Sequence, residues 1–522
     1  MGLKVLNFKG VERPYKSASA SSPILIISAL LALCLAILPF YYLVRRSFGS
    51  DIESLRIIIF REKTVEIFFT TISLVATVAF LATLIGFSIA WSLNFLQLPK
   101  ANLLRALSIL PIAIPSYVFT YSWLSLGLFP GGFFAAVVVL ALSTSPYVTL
   151  AAMAAFRRID PSQIDVAQTL GLNKIQVLLR VILPQVRNSL SAGALLVALY
   201  VLSDFGAVSL LGVDTFTRAI QNTYQGSFDR SSAAVLALML VAVSAFVIYL
   251  EISTRRRSRL VKSSVSITRQ IEKIDSKVGQ ILATSLVWLY ILAALIAPLS
   301  VLAYRFFIRP EPLDYFNLLQ AAFSTVLVAS LGATITLILA LPVAIMSLRS
   351  SFLGKFTERS VLLVNSLPGI VVGLALVAFG SDFPFIYQTL GILALSYAVL
   401  FLARSVGTIR NSLSRVPENL SEIAATLGQS KTRIFYRVTL PLAAPGVLTG
   451  TLLVFLSAMK ELPATLMLRP TGLETLATEI WNNTAIFRFS EAAPYALLLI
   501  AIAAIPTFLI SRPDRELERG DI

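Results

Sequence analysis

The 522-residue chain contains no histidine, one cysteine, and charged side chains at only 13% of its positions. Without imidazole it lacks the commonest metal ligand and the usual proton shuttle near neutral pH. A lone cysteine, Cys34, cannot form an intramolecular disulfide, and in an apolar segment it reads as a small buried hydrophobe. Soluble domains carry roughly 25% charged residues, so an ordinary soluble enzyme does not fit. Disorder and a collagen-like chain are excluded by the 57% hydrophobic content. A phosphate loop of the form G-x-x-x-x-G-K-[ST] is also missing: Gly354-Lys355-Phe356 and Gly428-Gln429-Ser430-Lys431 come nearest and lack the spacing. No polar stretch is long enough to hold an ATPase domain.

What the chain does have is long apolar runs. They fall at about 24–44, 66–94, 106–128, 134–156, 189–211 and 232–252, and again at about 281–304, 321–348, 360–380, 385–408, 446–468 and 491–510. A membrane helix needs about 20 apolar residues, so these runs predict an all-α polytopic membrane protein of about twelve spans. The net charge of +16 is read against that topology. With the N-terminus inside, 31 of the 43 Lys and Arg residues lie on inner segments and 12 on outer ones. That bias places both termini in the cytoplasm. Five basic residues between Arg45 and Lys63 run against it. The basic surplus is therefore topology, with attraction to anionic membrane lipid as a further gain and no nucleic-acid role. Lys4, Lys9, Arg13 and Lys16 precede the first run in the manner of a signal peptide, but its length and the missing cleavage site predict a retained first span.

The chain repeats itself at an offset of 257 residues. Residues 165–184 read DVAQTLGLNKIQVLLRVILP and residues 422–441 read EIAATLGQSKTRIFYRVTLP, identical at nine of twenty positions. The same offset pairs Leu110-Pro111 with Leu367-Pro368, Gly193 with Gly450, and Asp204 with Glu461. Matching apolar helices could be chance; a polar loop matching at Thr, Gly, Lys, Arg and Pro is duplication. Six spans per half is an even number, so the halves run parallel. The expected organisation is a first half at 1–252, a basic cytoplasmic linker at 253–280 and a second half at 281–522.

Each repeated loop joins the fourth and fifth spans of its half, at about 157–188 and 409–445. Asp160-Pro161 offers an N-cap and a first-turn proline, and Pro417 stands in nearly the same place in the second copy. Gly171 and Gly428 then end that helix in a left-handed turn. Asn173 and Ser430 can cap a second helix, expected to run until Pro184 and Pro441 interrupt it at the membrane. A bare chain reversal would need only a few residues, so the elbow is predicted to dock something.

These residues resemble the signature of the integral-membrane permeases of binding-protein-dependent ABC importers: Glu-Ala-Ala, three residues, Gly, nine residues, Ile, one residue, Leu-Pro. The second copy carries Glu422, Ala424, Gly428, Leu440 and Pro441, with Ile423 ahead of Ala424 and Val438 for the isoleucine. The first carries Asp165 for the acid, Val166 for the first alanine, Val181 for the isoleucine, and Ala167, Gly171, Leu183 and Pro184 unchanged. The resemblance implies the type I ABC importer permease fold, with elbows seated on two copies of a cytoplasmic ABC ATPase subunit. ATP and Mg would then bind to that partner, and this chain would bind no cofactor and have no catalytic residues of its own. It also implies a periplasmic or lipid-anchored substrate-binding protein, and a place in the bacterial plasma (inner) membrane.

Over essentially its whole length the chain resembles the fused two-half permeases of the ferric-iron uptake family. That likeness rests on Ser203-Asp204-Phe205-Gly206-Ala207-Val208-Ser209-Leu210-Leu211, on the run from Met459 to Pro470, on Leu476-Ala477-Thr478 and on Glu491-Ala492-Ala493-Pro494. It implies ferric iron as cargo and a ferric-binding protein as partner. Fused permeases for thiamine, phosphonate or polyamine are similar in many of the same places and supply the alternative cargoes. Asp204 and Glu461 fall about two-thirds along the fifth span of each half. Ionisable groups at that depth either face a cavity or pair, and a hard cation in a central path prefers oxygen ligands. Equally, the two carboxylates could cap backbone groups near the outer helix ends. Lys460 stands beside Glu461 as a counter-ion on the same path, and Tyr117 and Tyr121, phenolic oxygens in the third span, read as packing residues, with lining of the path as the alternative. A major-facilitator-type transporter is a competing class, but its Gly- and Arg-rich loop between spans two and three is replaced here by Gln97-Leu98-Pro99-Lys100-Ala101-Asn102. A channel would need no ATPase dock.

Overall fold

The computed structural model describes residues 23–48, 52–127, 130–226, 230–259, 276–309, 312–348, 354, 356, 357, 360, 361 and 367–511. Lys4, Lys9, Arg13 and Lys16 of the N-terminal segment, and Lys262, Arg269 and Lys273 of the linker, lie outside them. Among the described residues all regular structure is helical. Ten helices are long and apolar enough to cross a membrane: Leu25–Ser47, Glu62–Phe95, Gly132–Phe156, Lys174–Ser203, Ser231–Thr254, Lys277–Phe307, Tyr315–Ser347, Leu390–Leu413, Thr432–Met459 and Phe489–Thr507. They account for ten of the twelve apolar runs. Their outward faces carry bare apolar side chains such as Phe69, Phe80 and Leu84, which is favourable only against hydrocarbon. Cys34 lies on such an exposed face of the first span rather than in the core. Facing hydrocarbon costs a small apolar thiol nothing.

The remaining two runs, the third of each half, are not full-length straight spans among the described residues. In the first half, helices Ala101–Ala113 and Ser116–Leu124 meet at 95°. Pro111 opens a tight turn over Leu110–Ala113, and Pro115 follows with extended backbone (φ −60°, ψ 146°). Without an N–H, Pro115 cannot continue the helical ladder. In the second half Pro368 takes the same conformation (φ −63°, ψ 153°) ahead of Gly369–Asp382. That helix has 14 residues, about 21 Å at a rise of about 1.5 Å per residue, short of the roughly 30 Å hydrocarbon layer.

The described residues form two compact units. One is made of the described residues within 1–38, 329–365 and 397–458, the other of those within 39–328, 366–396 and 459–522. In the first unit Gly332 lies so near Tyr397 that a Cβ there would fall 2.9 Å from the tyrosine Cβ. The Ser412 hydroxyl donates to the Ala443 carbonyl at 3.0 Å. In the second unit three helices meet at Val148: a Cβ on Gly86 would lie 2.8 Å from the Val148 Cβ, and one on Gly193 3.3 Å from its Cα. Helices Glu62–Phe95, Gly132–Phe156 and Lys174–Ser203 thus meet nearly backbone to backbone, the contact by which small residues join helices where the hydrophobic effect cannot.

Candidate functional site

The two elbows have the same backbone. In the first, the Asp160 carboxylate accepts from the Ser162 N–H at 3.0 Å and opens the helix Pro161–Thr169. Gly171 closes it at φ +85°, with its N–H bonded to the Gln168 carbonyl (2.9 Å) and the Leu172 N–H bonded to Ala167 (3.1 Å). In the second, Glu418–Thr426 ends at Gly428, φ +74°, with Gly428 N–H to Ala425 (3.0 Å) and Gln429 N–H to Ala424 (3.2 Å). Both are Schellman closures, and they give Ala167 and Ala424 a physical role: each supplies the carbonyl for the longer bond. Asn173 then caps the next helix in a reciprocal box with Gln176, both bonds 2.9 Å, and the Ser430 hydroxyl accepts from the Arg433 N–H at 3.4 Å.

One expectation fails here. Pro184 and Pro441 do not interrupt the second helix, which runs on as Lys174–Ser203 and Thr432–Met459. Just ahead of each proline the ladder widens into a π turn, Leu178–Ile182 and Phe435–Thr439. The Leu183 N–H reaches back to the Leu178 carbonyl, and Leu440 to Phe435. The extra residue in the turn shifts the carbonyl register, so the proline ring is admitted without breaking the rod.

The elbows are uncovered. Leu170 is 77% exposed and Leu427 73%, with Val166, Ile175, Ile423 and Tyr436 also bare. Asp165 and Glu422 are exposed on the same helices, while Ala167 is buried and Ala424 half-buried. In the first elbow Val166, Leu170, Leu172 and Arg180 line an open groove of about 500 Å³. Gln185 Nε2 donates to Gln163 Oε1 at 3.0 Å, fastening that elbow to the base of the fifth span.

The far end of the fifth span differs from its prediction. The helices stop at Ser203 and Met459, so Asp204 and Glu461 follow the rods rather than standing within them. Both carboxylates are buried and cap the short helices that come next, Gly206–Leu210 and Pro463–Leu468. Asp204 accepts from the Ala207 N–H at 2.9 Å. Glu461 accepts from the Ala464 and Thr465 N–H groups, both 2.9 Å, and from the Thr465 hydroxyl at 2.7 Å. Of the two roles open for these residues, the geometry displays the cap. Among the described residues no group of three or more His, Cys, Asp or Glu side chains gathers to hold a metal.

Each short helix packs on the helix that follows Pro115 in the first half or Pro368 in the second. A Cβ on Gly206 would fall 2.6 Å from the Tyr117 Cβ, and one on Gly373 3.1 Å from the Ala464 Cα. Lys460 Nζ reaches the carbonyls of Ile112 and Ala113, at 3.3 and 3.4 Å. Tyr121 is buried, donates to the Phe489 carbonyl at 2.6 Å and stacks on the Phe489 ring, as a packing residue should.

Sequence reasoning missed Thr71 and Thr325. The Thr71 hydroxyl accepts from the Phe216 N–H (3.2 Å) and Thr325 from the Leu476 N–H (2.8 Å), each at the start of the helix that follows the capped one. A threonine in a span gives no signal of its own. The shared role becomes visible only when the two halves are set side by side.

Residues 82–259 and 332–515 each match the family described as the inner membrane component of binding-protein-dependent transport systems. An Fe(3+)-transport system permease protein of Haemophilus influenzae is 30% identical over 495 residues, 94% of this chain and 97% of that protein. A molybdate/tungstate transport system permease protein of Pyrococcus abyssi is 28% identical over 191 residues, 35% of this chain and 74% of its own. A ferric transport system permease protein of Actinobacillus pleuropneumoniae is 23% identical over 394 residues, 71% of this chain and 57% of that one.

Proposed function

Since the chain belongs to the inner-membrane permeases of binding-protein-dependent ABC importers, with the family's domain present twice, we propose that it supplies both halves of a translocation path that carries ferric iron from periplasm to cytoplasm. As a multi-pass inner-membrane permease it works with a substrate-binding protein and ATPase subunits. In this reading two ATPase copies, which carry the ATP and Mg, seat one elbow each, and a ferric-binding protein docks on the periplasmic face. Both termini are cytoplasmic.

The observation that carries the reading is the pair of elbows: closely matching backbones, exposed apolar tips and unbroken rods leading away from them. In the first half a push on Asp165, Ala167 and Gly171 would travel along Lys174–Ser203, about 45 Å at about 1.5 Å per residue. Its far end is Asp204, whose cap orders Gly206–Leu210 against the broken third span. In the second half Glu422, Ala424, Gly428, Leu440 and Pro441 stand in the corresponding places, with Glu461 as the cap. The path would alternate between inward-open and outward-open as the ATPases open and close. Ferric iron is favoured over thiamine, phosphonate or polyamine because the relative matching 94% of this chain is named for Fe(3+).

Reconstitution with the cognate ATPase and binding protein tests the whole reading. ATP-dependent accumulation of radiolabelled ferric iron, with thiamine and phosphonate excluded, is expected. Uptake without ATP, or of another cargo alone, refutes it. Asp204→Asn with Glu461→Gln examines the path role: unchanged iron uptake would leave these carboxylates as caps alone.

A further inference from the structure

The break in the third span of the first half leaves main-chain carbonyls to be satisfied inside a membrane protein. Ile114 N–H serves Pro111 at 3.1 Å. The next donor in that tight pattern would be residue 115, a proline with no N–H. At this point a side chain from the other sequence half arrives: the half-buried Lys460 donates to Ile112 and Ala113 at 3.3 and 3.4 Å. An ammonium has three donors and no acceptor, so it suits a pair of adjacent carbonyls. The contact is one-sided. At the repeat offset Lys460 corresponds to Ser203, whose hydroxyl bonds back to Leu199 at 2.9 Å within its own helix.

We propose that Lys460 is an inter-half latch, a positioning residue that ties the end of the second half's fifth span to the broken third span of the first half in the resting transporter. It follows directly after the rod Thr432–Met459, so any shift of that rod moves the ammonium. At 3.3 and 3.4 Å its bonds are already longer than the usual range of about 2.7–3.2 Å, and a displacement of a few tenths of an ångström away from the carbonyls opens them. The latch thus holds the path until the elbow-linked rod is driven. This inference rests on the ATPase-coupled reading.

The test uses the full transporter, with ATPase, in lipid nanodiscs, and reads ATP hydrolysis without binding protein together with iron taken up per ATP when it is present. Lys460→Met removes both charge-assisted bonds and is expected to raise the unstimulated hydrolysis about tenfold and to lower the uptake per ATP. Lys460→Arg keeps donors and charge and restores wild-type behaviour to within about twofold, while Lys460→Gln, with neutral donors, falls between. Equal unstimulated hydrolysis in wild type, K460Q and K460M overturns the latch, as does a K460R as leaky as K460M. Should K460M fail to assemble with the ATPase, the ordering of K460R and K460Q decides. Wild-type hydrolysis that never responds to binding protein overturns the transport reading instead, and the latch with it.

Discussion

Gly428 isolates the geometry of an elbow from its chemistry. Its φ of +74° is a left-handed conformation that costs an L-residue about 1–2 kcal/mol. A Cβ built there meets nothing within 4 Å, so within this chain the penalty is backbone strain alone. At about 1.4 kcal/mol per tenfold, the kinked elbow loses up to about 5- to 30-fold in population relative to a straightened one. Affinity for the ATPase subunit falls by at most the same factor, because only the kinked form is competent to dock. Valine at position 428 should lie at the severe end, alanine between, and asparagine, which adopts this conformation readily, near wild type. Aspartate tolerates the turn as well, so a loss of transport in Gly428→Asp reports a charge placed against the partner. The assay is binding of the purified ATPase to nanodisc-embedded variants, with membrane insertion scored separately. Gly171, at φ +85°, should repeat the series. An asparagine variant as weak as the valine variant would refute the argument from φ.

Leu170→Asp and Leu427→Asp put a charge on the most exposed elbow leucines; each should cost the ATPase complex about tenfold or more in affinity without lowering the melting temperature, since fully burying a leucine is worth about 1.5–3 kcal/mol. Glu461→Ala strands two buried N–H groups and should destabilise the chain by about 1–3 kcal/mol for each, whereas Glu461→Gln, which keeps an acceptor, should be milder; equal melting of the two variants contradicts the cap. Thr325→Val and Thr71→Val each remove the side-chain acceptor of a buried helix-start N–H, and a measurable loss in thermal melting of about 1–3 kcal/mol is expected. Asp214 is held below the usual carboxylate range chiefly by its hydrogen bond to Lys63, with Arg218 adding to the effect. Its folded value being lowered, its contribution is present above the ordinary carboxylate pKa and fades as pH falls through the lowered one. The melting difference between wild type and Asp214→Asn should therefore be visible at pH 7 and vanish in acid; a difference that grows in acid would refute the sign.

The amino-acid order alone determined most of the architecture, because membrane topology is written in one dimension. Apolar runs set the ten long spans. The elbows were equally legible, since Asp160, Gly171, Asn173 and Gly428 act on backbone groups within a few residues of themselves. Long-range geometry was not legible. Pro184 and Pro441 read as breaks because a proline forbids one hydrogen bond, yet only the assembled helix shows that a π turn absorbs the defect. Asp204 and Glu461 read equally as path carboxylates and as caps near the outer helix ends, and only the folded chain shows the helices stopping just short of them with their oxygens turned to the next N–H groups. The meeting of Lys460 with Ile112 and Ala113 across 348 and 347 residues, like that of Thr325 with Leu476, was settled by tertiary packing alone. In hydrocarbon every freed backbone group must find a partner wherever the fold can bring one, and no local pattern says which side chain that will be.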